Sequence, residues 1–191
     1  MREKLTTKYL ESLLRSKGVS YDHIKIMKKT RNRSDVPMCW YYREGPTKEN
    51  QRIPVNDIRG LGDRGTPSRS WFSHGLWHRK SDMDTKRILK AILALENQPL
   101  HAFQQFYEEE PVRLIYYPGI GYFVNGDGTH RTLFAKLTNC SHVLAHVEYP
   151  VIEEEKHQFC QRYSRSFTGF FHVHYARLIN PYSPPPDPIR R

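Results

Sequence analysis

Apolar positions recur along this chain in two rhythms, one helical and one alternating. From Thr6 to Lys17, Tyr9, Leu10, Leu13 and Leu14 share a helical face, with Thr6 or Thr7 to cap the start and Gly18 to end it. Next, Ile24 and Ile26 alternate about Lys25, which predicts a short strand and then a basic loop. Met38 to Gly45 is aromatic and predicts a strand, and Pro46 to Arg52 is polar and turn-like. Ile53 to Ile58 alternates as a half-buried strand does. Ser81 to Gln98 carries the strongest helical pattern, capped by Ser81 or Asp82 and ended by Pro99. Its apolar face holds Ile88, Leu89, Ile92, Leu93 and Leu95.

A second short helix follows, with Leu100, Phe103 and Phe106 on one side. Val112 to Pro118 predicts a strand, "GIG" a tight turn, and Tyr122 to Gly126 its antiparallel return. Thr129 to Asn139 then predicts a helix with Leu133, Phe134 and Leu137 inward. In the strand expected over Ser141 to Val151, His142, Leu144 and His146 share one face and Val143, Ala145 and Val147 the other. Residues 153–165 read as a charged helix and "GFFHVHYARLI" as a last strand, before a proline-rich tail that forms no regular element. This order predicts an α+β fold, a small mixed sheet with flanking helices.

The length, 191 residues, fits one domain with extensions. Residues 1–49 form an N-terminal helix and basic extension, 50–151 the core, and 152–191 a C-terminal helix, strand and tail. No apolar run is long enough to span a membrane and the start lacks a signal peptide's apolar stretch, so the expectation is a soluble, cytoplasmic protein. Cys39, Cys140 and Cys160 are far apart and odd in number, which predicts buried free thiols. The net charge of +10 and pI near 9.6 favour anionic partners, DNA or nucleotide.

Two stretches concentrate chemistry. Lys28, Lys29, Arg31 and Arg33 crowd together, as a solvated loop or a phosphate-contacting patch. From Arg59 to Asp82 the chain has no periodicity, yet it interleaves aromatics with cations. Arg64, Arg69, Trp71, Trp77, Arg79 and Lys80 suit stacking on bases while neutralising phosphates; the tryptophans equally suit packing on the core. The histidine pairs His142/His146, His172/His174 and His74/His78 fit hydrogen-bonded or exposed roles better than a metal site.

The sharpest feature is the strand-to-helix joint "FVNGDGTHRTLFAKL". Gly126 and Gly128 let the backbone turn tightly and approach a ligand. The helix that follows presents unpaired N–H groups and the positive end of its dipole, which bind phosphate. His130 and Arg131 sit in that first turn, where a positive side chain is unfavourable without an anion. Thr129 can cap the helix or donate to a phosphate oxygen, and Asp127 repels phosphate unless it pairs with Arg131 or holds a cation.

"DGTHRTLFA" followed by "VLAHVEYP" resembles the core of the ParB/sulfiredoxin superfamily. "RIPVNDI" is similar to that family's first strand, "MDTKRILKAILAL" to its middle helix, and "EPVRLIYYPGIGYFVNG" to the hairpin before the joint. The resemblance covers about residues 50–150. It implies a small α+β domain whose joint binds nucleotide phosphates on Gly126, Gly128, Thr129, His130 and Arg131. Sulfiredoxin chemistry is set aside, because Thr129 stands where that enzyme has its cysteine. The chain also lacks the Gly-Glu-Arg-Arg box of the CTP-binding partition proteins. What remains is a nucleic-acid-acting domain of plasmid or phage type, a nuclease or NTP hydrolase. In it Asp127, His130 and Arg131 would be catalytic. Asp127 would hold Mg2+, helped by Asp57 or Asp63, and a nucleoside triphosphate would be the ligand. The alternatives are a nucleotide-dependent kinase of a small hydroxylic substrate, and a non-catalytic module that binds DNA or protein.

Overall fold

The computed structural model describes residues 6–33, 42–66, 69–76 and 83–155, with Gln158. In chain order the elements are α1 (Thr7–Ser16), α2 (Tyr21–Lys29), β1 (Tyr42–Arg43), β2 (Thr47–Pro54), β3 (Ile58–Gly60), α3 (Trp71–His74), α4 (Thr85–Asn97), α5 (Leu100–Glu109), β4 (Val112–Tyr117), β5 (Gly121–Val124), α6 (Thr129–Leu137), β6 (His142–Glu148) and β7 (Val151–Ile152). Single 3-10 turns cover Val55–Asp57 and Gly62–Arg64.

The fold is mixed α and β. Five strands form one mixed sheet in the order β2-β6-β4-β5-β3. β2 runs antiparallel to β6, β4 parallel to β6, β5 antiparallel to β4, and β3 parallel to β5. Val143, Ala145 and Val147 of β6 are buried while His142, Leu144 and His146 alternate with them half-exposed. Against the buried face sit α5 and α6, whose Phe103 and Phe134 rings meet edge to face at 6.3 Å. α6 lies deepest, with every residue from Thr132 to Leu137 buried. The chain divides into two compact units. Residues 1–35 and 47–148 make the sheet unit, which therefore includes α1 and α2. Residues 36–46 and 149–191 make the second unit, whose described part is the short antiparallel pair β1–β7.

Several elements differ from the sequence expectation. The strand expected around Ile24 and Ile26 is helix α2. Ser20 caps it through the His23 N–H, and burial falls on Ile24 and Met27, three apart, while Ile26 is 53% exposed. The turn expected over Pro46 to Arg52 is most of strand β2. β2 is the sheet's edge and mostly solvent-facing, so it shows no apolar alternation. "IPVNDI" is no single strand, because Val55 to Asp57 make a 3-10 turn between β2 and β3. α4 is capped by Asp84, whose carboxylate accepts from the Lys86 and Arg87 N–H groups, and not by Ser81 or Asp82. Phe106, expected inward with Phe103, is 51% exposed. The strand expected over Met38 to Gly45 is described only at its β1 end. The last strand, the tail and most of the 153–165 helix lie outside the described residues, with Cys39, Cys160, His78, His172 and His174. Cys140 is a buried free thiol, its pKa pushed up to about 11 chiefly by burial. Among the described residues, no helix is long and apolar enough to cross a membrane.

Candidate phosphate-binding groove

Strand β5 leads into α6 through Asn125 to Gly128. Gly126 and Gly128 have φ of +78° and +98°, the left-handed region that glycine adopts without strain. Gly128 has a second reason to be glycine. A Cβ there would lie 2.5 Å from the Cβ of Val112 on β4. The backbone of the joint is pinned to β4 on both sides. Asn125 N–H donates to the Arg113 carbonyl at 2.9 Å and Arg113 N–H to the Asp127 carbonyl at 3.2 Å. The cap position of α6 is Gly128 itself, with no side-chain capping hydrogen bond, so the first turn opens without a side-chain acceptor.

Arg131 is fixed twice. Its Nη2 donates to Asp127 Oδ2 at 2.6 Å and its Nη1 to the Pro111 carbonyl at 2.7 Å. The pair meets the charge of Asp127 from within the first turn of α6. Thr129 is buried at the start of the turn. His130 points towards the start of α4. Burial first, then the cations of Arg87 and Arg64, hold its pKa below the usual histidine value, while Asp84 works the other way through its charge and a backbone hydrogen bond. Its Nε2 is buried and meets no hydrogen-bond partner among the described residues.

Of these groups His130 and Arg131 border a groove of about 530 Å³ between α4, α5 and the first turn of α6. One side is cationic, with Arg87, Lys90 and Arg131 beside the His130 imidazole. The floor is apolar, with Phe103, Phe106 and Tyr107 of α5 and the small Ala91 and Ala94 of α4. The Tyr107 hydroxyl is buried enough to stay un-ionised well above its ordinary pKa. A volume of this size holds a small organic ligand, and a few polar groups around an apolar floor are how such ligands are oriented.

The structure brings Gly126, Asp127, Gly128, Thr129, His130 and Arg131 together at one joint, with Arg64 near enough to act on His130. Other sequence candidates are elsewhere. Trp71 is 1% exposed, and the Lys136 ammonium sits 4.5 Å above its ring, so it offers no face to a base. Arg69 is half-buried, its carbonyl accepting from the Asn32 N–H. Trp77, Arg79, Lys80 and the side chain of Asp63 lie outside the described residues. Asp57 sits at a different pocket, with Arg59, Tyr116 and Tyr122. Among the described residues no group of three or more His, Cys, Asp or Glu side chains is placed to hold a metal ion. With its carboxylate on Arg131 and no further carboxylate beside it among the described residues, Asp127 does not fit a Mg2+ site built from those residues.

Sequence reasoning missed Arg87, Lys90, Phe106 and Tyr107. The signal was present in α4, where Arg87, Ala91, Ala94 and Gln98 fall on one helical face. Small residues between polar ends of a face mark a groove as well as a solvated surface. Compared with models of protein families, with curated proteins and with solved structures, the chain matches none.

Proposed function

We propose that the groove binds a nucleoside phosphate, and that the chain is a ParB/sulfiredoxin-like domain acting on nucleotides or nucleic-acid ends. The observation that carries this reading is the meeting of three features at one place: an uncapped helix N-terminus, a cationic wall and an aromatic floor. Phosphates would lie on the first turn of α6 against Arg87 and Lys90, the base on Phe106 and Tyr107. The groove is sized for one mononucleotide, which favours a nucleotide over a stretch of duplex. His130, its pKa held below the usual histidine value, lines the groove, and its buried Nε2, without a hydrogen-bond partner among the described residues, would pair with a ligand oxygen that reaches it. Arg131, held by Asp127 and Pro111, is positioned in advance to offset charge that develops on a phosphoryl group. A second reading, phosphoryl transfer to a small hydroxylic substrate, is favoured by the apolar lining, which hydrolysis does not need.

The test is thermal stabilisation by ATP, CTP, GTP and inorganic phosphate. A ligand at a hundredfold excess over its Kd adds about 2.7 kcal/mol, several degrees for a chain of this size. Arg87→Ala is the informative variant, because that side chain is 68% exposed and its one ion pair among the described residues is a loose 3.7 Å contact with Asp84. Loss of the shift in Arg87→Ala supports the groove. A shift by no nucleotide, or one that Arg87→Ala leaves intact, overturns it.

A further inference from the structure

The N-terminal part of the sheet unit carries chemistry that the groove does not use. α1 and α2 are joined by four residues, Lys17 to Ser20, with Gly18 at φ +94° ending the first helix and Ser20 capping the second. Leu10 and Leu14 of α1, Val19 of the turn, and Ile24 and Met27 of α2 are all buried. Two short helices, a glycine-containing turn of three or four residues and one shared apolar seam are the elements of a helix-turn-helix. α2 is anchored from behind. His23 Nε2 donates to the Lys136 carbonyl at 2.7 Å, and the helix packs on α3 and α6.

That anchoring leaves a defined outer stripe. Asp22, Lys25, Ile26 and Lys29 are exposed at i, i+3, i+4 and i+7. Tyr21, 56% exposed, stands at the head of the stripe with the Arg15 guanidinium 5.8 Å from its ring centroid. Arg31 and Arg33 continue the charge beyond the helix. Over positions 6–33, eight residues are Lys or Arg and two are Asp or Glu, so this segment supplies more than half of the net +10. Lys28, beside the stripe, is paired with Glu11 of α1.

We propose that α1 and α2 form a helix-turn-helix that docks on duplex DNA, with the outer stripe of α2 in the major groove. Charge complementarity selects the occupant: cations at Arg15, Lys25, Lys29 and Arg31 meet the phosphates on both sides of the groove. At the N-terminal end of α2, Asp22 and Tyr21 are placed to face base edges, where a carboxylate accepts from cytosine N4. A duplex matches this shape, since a rigid helix with one exposed stripe fills a major groove and gives single strands no stacking platform beyond Tyr21.

The experiment is fluorescence anisotropy with a random-sequence duplex of about 30 base pairs, three helical turns, titrated over a range of salt. Wild type is expected to bind, and Lys25→Glu/Lys29→Glu to bind at least about tenfold more weakly. Lys48→Glu/Lys86→Glu, at exposed lysines on β2 and α4, makes the same change in net charge and is expected to stay within about threefold of wild type. In the neutral pair Lys25→Ala/Lys29→Ala, the slope of log K against log salt is expected to flatten by about 2. Both lysines are exposed, so thermal melts of the variants are expected to match wild type and their nucleotide shift to persist, separating this surface from the groove. No duplex binding by wild type, undiminished binding by Lys25→Glu/Lys29→Glu, or tighter binding of single-stranded DNA or RNA of equal length overturns the proposal.

Discussion

Two titratable groups on α6, buried Lys136 and half-buried His130, show how much one residue can say. Lys136 is buried on the helix's inner side, and burial, with help from Arg59, brings its pKa down to about 8 against the partial support of Asp57. The unfolded chain keeps that proton up to about 10.5. Between pH 8 and 10.5 the unfolded state therefore binds more protons, and folding stability rises with pH. The penalty for the buried charge is fully present below pH 8, and at most about 3 kcal/mol by the size of the shift. Lys136→Met is expected to raise stability at pH 7, and that gain to shrink as pH climbs from 8 to 10.5; urea melts at several pH values read it directly. His130 behaves in the same sense at lower pH. Its lowered pKa, like that of His23, means the unfolded chain takes up protons first, so stability falls as pH drops below about 6.5. Removing the nearby cation in Arg87→Ala is expected to raise the His130 pKa, and Asp84→Asn to lower it, as read by NMR titration of the imidazole. An unchanged titration in both would mean that the imidazole does not sense the groove's charges.

At the scale of elements, the joint and α6 make a graded prediction. Gly128→Ala must hold a left-handed φ and also clash with Val112, and is expected to cost about 2–4 kcal/mol. Gly126→Ala meets nothing within 4 Å and carries only the conformational cost, about 1 kcal/mol. Denaturant melts giving equal losses would show that the Val112 contact does not decide the difference. Elements with a buried face were legible in the sequence: α1, α4, the β4–β5 hairpin, α6 and β6 each show their burial as apolar spacing. β2 was not, because an edge strand exposes both faces and its side chains need no rhythm. α2 was misread because Ile24 and Ile26 fit a strand, and only packing reveals that Ile24 and Met27 are the inward pair. The joint itself was readable from its glycines and its His-Arg pair. The groove was not, since its wall and floor come from α4 and α5, which meet α6 only in three dimensions.

The whole molecule carries +10, and that charge acts on every anion it meets. Self-repulsion among cations destabilises a compact state, and any salt relieves it by screening. Rising NaCl is therefore expected to raise the melting temperature of wild type and of groove variants alike. A phosphate site adds a second, saturable effect. At matched ionic strength, inorganic phosphate stabilises by general exclusion from the surface and, where a site exists, also by binding the folded chain. Only the binding part depends on particular residues. Arg87→Ala/Lys90→Ala removes two cations from the groove wall without touching the buried face of α4, which holds Ile88, Ile92 and Leu95. In that variant the response to NaCl is expected to persist, while the extra stabilisation by phosphate over chloride falls to the level of general exclusion. Should the phosphate excess survive in Arg87→Ala/Lys90→Ala and vanish instead in Lys25→Glu/Lys29→Glu, the anion site of this chain is the outer face of α2, and the groove beside α6 would be left without phosphate chemistry.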